Sequence, residues 1–209
     1  MIVFEETNRF SQLQESCVAT IGKFDGVHLG HQLILDQLKQ KAEQFDLPSL
    51  VILVEPHPEE FFAEETASAP ARLTTLPEKL ELLESFGIDF VFQLKFDRQL
   101  SQLSAEDYIK DILVEGLGVK SFIVGNDFRF GHKRKGNFSL LSEAGKQLGF
   151  EVAETAAYER NGHRISSTFI REQLANADFI LVEQLLGRPY SIKGEVVKGK
   201  QLGSDLGFP

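Results

Sequence analysis

Five short β-prone runs, "CVATIG" (17–22), "SLVILV" (49–54), "DFVFQL" (89–94), "SFIVG" (121–125) and "FEVAET" (150–155), are mostly too continuously apolar to leave one face in water. Strands buried on both faces read this way, and they belong to parallel sheets covered by helices on each side. Helical patterns separate them. Leu35, Leu38, Ala42 and Phe45 recur at steps of three and four. "LPEKLELLESFGID" (76–89) has Pro77 early and Gly87 late, as helix boundaries should, and "SAEDYIKDILVEGLG" (104–118) repeats the pattern. The order predicts an α/β fold with a doubly wound, mostly parallel sheet and right-handed crossovers.

Two further helices are expected over 167–177 and 178–187, after which "RPYSIKGEVVKGKQLGSDLGFP" is Gly-rich with a β-like texture. A boundary near 187 therefore divides residues 1–187, one domain of the 209-residue chain, from a short β-rich remnant at 188–209. "EETASAPA" (64–71) reads as a small-residue loop that covers or links. Thirty-one acidic against 22 basic residues give a net charge of −9, which repels a polyanion and makes nucleic acid an unexpected partner. Small phosphorylated ligands need only a few local donors. The single cysteine, Cys17, excludes an internal disulfide framework. There is no basic-then-apolar leader and no apolar run near the roughly 20 residues that span a bilayer, so a cytoplasmic, membrane-free protein is expected. No oligomeric state is implied.

In an open parallel sheet, ligands bind beyond the carboxyl ends of the strands. "ATIGKFDGVHLGHQ" (19–32) lies at such an end. Gly22 and Gly26 permit close backbone approach, and a helix starting near Leu29 turns its free N–H groups and positive dipole end toward the turn. His28 and His31 fall in the turn and the first helical turn, so both imidazoles can point the same way and donate to phosphate oxygens. Structural hydrogen bonds or a metal held by the HxxH spacing are the alternatives. Cysteine ligands are missing for a structural zinc site, and no further histidine stands at a recognisable spacing.

Three more strand ends carry candidates. In "VEPHPEEFF" (54–62), Pro56 and Pro58 fix the backbone around His57, giving either a rigid wall for a flat ligand or an aromatic staple of Phe61 and Phe62 into the core. In "VGNDFRFGHKRKGN" (124–137), Asp127 is placed for a cation or a ligand donor, Phe128 and Phe130 offer ring faces, and His132 to Lys135 form a basic cluster between Gly131 and Gly136. That cluster is either a solvated face or a phosphate-contacting loop. "RISSTFIREQL" (164–174) puts Ser166, Ser167 and Thr168 at a helix start with Arg171 one turn on, a cap that could also hold phosphate with a guanidinium clamp.

Taken in order, "GKFDGVHLGH", "EPHP", "GNDFRFG" and "ISSTFIR" resemble the GxFDGxHxGH, second, GxDFxFG and ISSTxIR motifs of the adenylyltransferase module of prokaryotic bifunctional FAD synthetases. "GEVVKGKQLGSDLGFP" looks like the opening of the riboflavin kinase module that follows there. The resemblance implies a nucleotidyltransferase, Rossmann-like fold and transfer of AMP from ATP to FMN, giving FAD and pyrophosphate with Mg²⁺. It implies that His28, His31, Asp127 and Arg171 carry the chemistry. Gly22, Phe24, Asp25, Gly26, Ser167 and Thr168 would join His28, His31 and Arg171 around ATP. Pro56, His57, Pro58, Phe62, Tyr108, Asp127 and Phe128 would line the flavin side, and Asp127 would sit near the metal.

Two positions depart from the family pattern: Val54, where the second motif often has an aromatic, and Phe169, where the fourth often has a polar or basic residue. The chain also stops at Pro209, before the kinase module's Thr-Ala-Asn segment, so no riboflavin phosphorylation is expected of it. Rival readings are an adenylyltransferase of the same superfamily acting on a pyridine nucleotide or pantetheine phosphate, and a non-catalytic nucleotide-binding regulator.

Overall fold

A computed structural model describes residues 1–63, 69–156, 158–160, 162–195, 197 and 207. The chain runs β1 (Ile2–Phe4), α1 (Thr7–Ser11), β2 (Cys17–Gly22), α2 (Leu29–Phe45), β3 (Ser49–Glu55), α3 (Pro58–Ala63), α4 (Leu76–Ser85), β4 (Phe90–Lys95) and α5 (Arg98–Gln102). It continues through α6 (Ala105–Asp107), a π-helix (Tyr108–Gly116), β5 (Val119–Gly125), a 3₁₀ turn (His132–Arg134), α7 (Phe138–Leu148) and β6 (Glu151–Thr155). It ends with a hairpin of β7 (Glu159–Arg160) and β8 (His163–Arg164), then α8 (Ser167–Ala175) and α9 (Phe179–Leu186).

The strands of the main sheet stand in the order β1-β4-β3-β2-β5-β6, all parallel, as the unbroken apolar runs require. Along β3, Leu50 and Ile52 enter one core layer while Val51 and Leu53 enter the other. Each side chain so buried is worth about 1.5–3 kcal/mol, so neither face of the strand can spare a polar residue. The order in which strands are added reverses between β2, from which the chain moves outward to β3 and β4, and its parallel neighbour β5, from which it moves the other way to β6. The crevice at such a switch point, beyond the carboxyl ends of β2 and β5, is where α/β sheets bind ligands.

Helix starts are locally encoded. Thr75 and Glu78 form a reciprocal capping box ahead of α4, with Pro77 in its first turn. Two differences from the sequence reading shape the core. β1 pairs with β4 and seats Phe4 against Phe10, Phe90 and Phe92, but three residues carry too little periodicity to announce a strand. The stretch 104–118, expected as one α-helix, winds mostly as a π-helix; its wider turn carries Tyr108, Ile109 and Leu113 into the core. A third apolar cluster, Leu73, Ile165, Ile170, Val182, Leu185 and Leu186, packs α8 and α9 together. Gly187, at the expected boundary, caps α9. No strand forms over 188–195, and most of the β-like tail, like 64–68 of the covering loop, lies outside the described residues. Among the described residues no helix is long and apolar enough to cross a membrane.

Candidate active site

The turn after β2 is wound tightly. Phe24, Gly26 and Val27 all have positive φ (48°, 81° and 39°), and a side chain at Gly26 would meet Leu73 Cδ1 at 2.9 Å. This compression delivers His28 to the N-cap of α2, where its Nδ1 accepts from the His31 backbone N–H at 3.2 Å. An acceptor Nδ1 puts the proton of the neutral ring on Nε2. His28 and His31 stack at 3.7 Å between centroids and 13° between planes, with Phe24 closing the other side of His31 at 5.0 Å. The two imidazoles do share a direction. They are more enclosed than an open turn would leave them: His28 is buried, and His31 Nδ1 is buried with no hydrogen-bond partner among the described residues.

That enclosure sets their charge. Burial lowers the pKa of His28 to about 4, against a raising backbone hydrogen bond, and the Arg188 and Arg164 cations push the same way as burial. His31 is held well below the usual imidazole range by burial, by His28 and by Lys79 and Lys23. Both rings are neutral at pH 7. In a chain of net charge −9, four cations act on this pair; Arg164, Lys23 and Lys79 are each paired with a carboxylate, and Arg188, with no ion-pair partner among the described residues, leaves its charge behind the turn.

Asp25 and Arg171, expected to contact nucleotide separately, bind each other instead. The buried Asp25 carboxylate takes the Leu73 N–H at 2.9 Å, the Thr74 N–H at 3.2 Å and the Arg171 guanidinium. Arg171 Nε also donates to the Ala71 carbonyl at 2.6 Å. Ser167 Oγ donates to the Asp25 carbonyl at 2.9 Å, Ser166 caps α8 through the Phe169 N–H, and Thr168 stands exposed in the first turn. The first and fourth motifs are thus joined through Asp25, which is a fully occupied support rather than an open ligand. Behind the turn, Arg188 donates to the Gly26 carbonyl at 2.8 Å, and Gln32 Nε2 bridges the Val27 and Leu186 carbonyls at 3.0 and 2.9 Å.

The third motif is open by contrast. Asp127, at the end of β5, is exposed and pairs with Arg164 at 2.5 Å. Phe128 and Phe130 stack at 5.2 Å, and Phe130 packs on Tyr108 at 5.3 Å. Tyr108, expected to line a flavin wall, is buried in the core, and its hydroxyl has no hydrogen-bond partner among the described residues. The basic stretch 132–135 is exposed, tied at its neck by paired hydrogen bonds between Phe130 and Gly136. A side chain at Gly136 would strike the Phe130 ring at 2.8 Å.

In the second motif, Pro56 is exposed after a cis Glu55–Pro56 bond, His57 is buried, and Pro58 opens α3. Phe62 is half exposed and joins an edge-to-face cluster with Phe61 and Phe96, at 5.2 and 5.8 Å. Glu55, Arg72 and Lys79 were not legible as site residues. Arg72 bridges Glu55 at 2.8 Å and Glu60 at 2.5–2.6 Å, and the fully buried Lys79 donates to Glu55 at 2.7 Å. One signal was available: Lys79 sits at helical spacing with Leu76, Leu82 and Leu83, on the face of α4 that packs inward.

Among the described residues no three histidine, cysteine or acidic side chains cluster as a metal cage. Mg²⁺ commonly needs only one or two carboxylates when phosphates supply the rest, and Asp127 is an accessible carboxylate beside the crevice.

Residues 10–169 match the FAD synthetase family, and 186–209 match riboflavin kinase. The chain belongs to the FAD synthetase family. It is 48% identical over 196 residues to the bifunctional riboflavin kinase/FMN adenylyltransferase of Escherichia coli (strain K12), covering 94% of this chain and 62% of that protein. With the enzyme of the same name from Haemophilus influenzae it shares 46% over 199 residues, 95% and 64% of the two chains. The chain therefore spans less than two thirds of these relatives. Among solved structures, a macrolide-efflux protein from Streptococcus pneumoniae superimposes with a TM-score of 0.80 at 24% identity, over all of this chain and 66% of the other. Pantoate-beta-alanine ligase from Francisella tularensis gives 0.54 at 12% identity, over 99% and 85%. These two likenesses establish the α/β fold of this FAD synthetase family member.

Proposed function

We propose that this chain is an FMN adenylyltransferase, moving AMP from ATP to FMN to give FAD and pyrophosphate. The observation that carries the reading is the stacked, neutral His28–His31 pair at the start of α2, surrounded by Arg164, Arg188, Lys23 and Lys79 at the sheet's switch point. A phosphate oxygen of FMN attacks the α-phosphorus of ATP in line, one P–O bond forming as the bond to the β-phosphate oxygen breaks. FMN arrives with an ionised phosphate, so the reaction needs no covalent enzyme intermediate. Catalysis then rests on positioning and charge stabilisation.

His28 Nε2–H and the first free N–H groups of α2 meet the growing charge on the departing pyrophosphate, and His31 backs His28 by stacking. Ser167 and Thr168 place the start of α8 beside the triphosphate, while Asp25 and Arg171 lock the two motifs in register. Gly22, Phe24 and Gly26 shape the turn. Asp127 would hold Mg²⁺ together with the phosphates, the metal supplying charge neutralisation there. Pro56, His57, Pro58, Phe62 and Phe128 line the flavin side. Tyr108 acts from beneath, by seating the Phe128–Phe130 stack. Ring stacking at such a wall contributes about 0.5–1.5 kcal/mol per pair.

Residues 1–187 form the adenylyltransferase unit in this reading, and 188–209 read as the opening of a riboflavin kinase unit. The acidic surface and the biosynthetic relatives favour a cytoplasmic, nucleic-acid-independent enzyme. The test is pyrophosphate release from ATP with FMN, nicotinamide mononucleotide and phosphopantetheine side by side. Release with FMN alone is expected; release with either other acceptor, or with none, overturns the assignment.

A further inference from the structure

A lysine with no solvent exposure is rare, and here one lies beneath the second motif. Lys79 Nζ stands 2.7 Å from Glu55 Oε1 and 3.2 Å from His57 Nε2. His57 is enclosed by charge from every side: Glu55 from β3 at 3.8 Å, Lys79 from α4, Arg72 and Asp25 from the connecting turns, and Glu59 and Glu60 from α3. The ion pairs balance without it. Glu55, Glu60, Asp25 and Glu59 face Lys79, Arg72, Arg171 and Lys23, so a proton on His57 would add a charge with no counterpart.

An ammonium group has three donors and no acceptor. Burial lowers the Lys79 pKa, and the Glu55 carboxylate at 2.7 Å works against it to keep the ammonium form; donated by that ammonium, the 3.2 Å contact takes a lone pair on His57 Nε2 and leaves the ring proton on Nδ1. From this geometry we infer that Lys79 is a positioning residue, fixing His57 as a neutral Nδ1–H tautomer and so setting which edge of the imidazole can donate toward the flavin side. Burial first, then the Lys79 and Arg72 cations, lower the pKa of His57, in keeping with a ring that stays neutral. His28 is the opposite tautomer, with its proton on Nε2. The two motifs then present donors from different ring nitrogens, each fixed by a neighbour rather than by pH. The flavin-side role rests on the function proposed above; the tautomer does not.

The test is long-range ¹H–¹⁵N spectroscopy of the histidine-labelled chain, with His57 assigned by loss of its signals in His57→Gln. Expected for the unmodified chain is a protonated Nδ1 and an unprotonated Nε2; a protonated Nε2 would overturn the inference without any variant. In Lys79→Met, Glu55 becomes the nearest partner of Nε2, so His57 should move its proton to Nε2 or raise its titration midpoint by about 1–3 pH units. A folded Lys79→Met with both readouts unchanged would also overturn it. Lys79→Gln, which keeps a donor, should retain the Nδ1–H form, and its failure to do so would count against the inference. Saturating FMN should shift the His57 signals. Unmoved signals would instead remove His57 from the flavin side while the tautomer still judges Lys79.

Discussion

The turn carrying His28 and the loop carrying Asp127 flank the same crevice, yet they are built in opposite ways. Around the turn, almost every polar group is spoken for: Asp25 is 1% exposed and holds two backbone N–H groups and a guanidinium, while Arg188 and Gln32 hold the turn's carbonyls from behind. The loop is pinned at its neck, and beyond that Asp127 has a side chain 67% exposed with a single arginine partner. A prearranged half loses function through stability, because its contacts are buried and shared. Away from its pinned neck, an exposed half loses function through ligand affinity alone. The same crevice therefore offers two separable kinds of failure.

Asp25→Ala should show the first kind at its largest. It leaves Arg171 and two N–H groups unpaired, and breaking one partner of a buried pair costs about 3–5 kcal/mol, to be read as a lowered denaturation midpoint in urea. His31→Ala tests the turn without its scaffold: ATP should still bind, while FAD formation falls by up to about 10²–10³-fold, the usual loss of one charge-stabilising group, because His28 loses the stack that aims its donor. Near-normal turnover would remove that role.

Acid should also find the buried half first. His28, His31 and His57 all have pKa values lowered by folding, so the unfolded chain takes up protons below about pH 6.5 while the folded one does not. Stability is fully present above that pH and falls as pH drops. For His28 the loss is about 1.4 kcal/mol per pH unit until its own pKa near 4 is reached, a slope that urea melts at pH 7, 6 and 5 will reveal. At the neck of the loop, Gly136→Ala forces a methyl into the Phe130 ring and should cost about 1–3 kcal/mol. Smallest is Lys133→Ala with Lys135→Ala on the exposed rim. Stability should stay within about 0.5 kcal/mol, while ATP affinity weakens at low salt and converges on the parent value at high salt. A large stability loss there would erase the contrast between the two halves.

Much of this was legible beforehand for one physical reason: periodicity and backbone chemistry are local. Continuous apolar runs announced β2 to β6, and Pro77 and Gly87 framed α4 from neighbours within a turn, to which the structure adds the Thr75 cap. The Gly-rich turn placed His28 and His31 correctly at the start of α2. What local pattern does not encode is who satisfies whom across the fold. Arg171 reads as a phosphate clamp because it stands one turn into a helix, and Asp25 joins the ATP side only through the family resemblance; their 146-residue separation hides that they pair. Tyr108 is placed on a flavin wall by the family resemblance alone, whereas the π-helix turns it inward. Lys79 was passed over because lysine on a helix is ordinarily solvated, and only the tertiary fold supplies Glu55 and His57 as its solvent.

The arginine behind the histidine turn bears on how such chains can be divided. Leu186 and Arg188, whose carbonyl and guanidinium complete that clasp, fall in the stretch matching riboflavin kinase, outside the stretch matching FAD synthetase. Family boundaries and mechanical boundaries do not coincide in this protein. Scissors applied at Gly187 would leave Leu186 in place but carry off Arg188, and with it the guanidinium that holds the Gly26 carbonyl of the histidine turn.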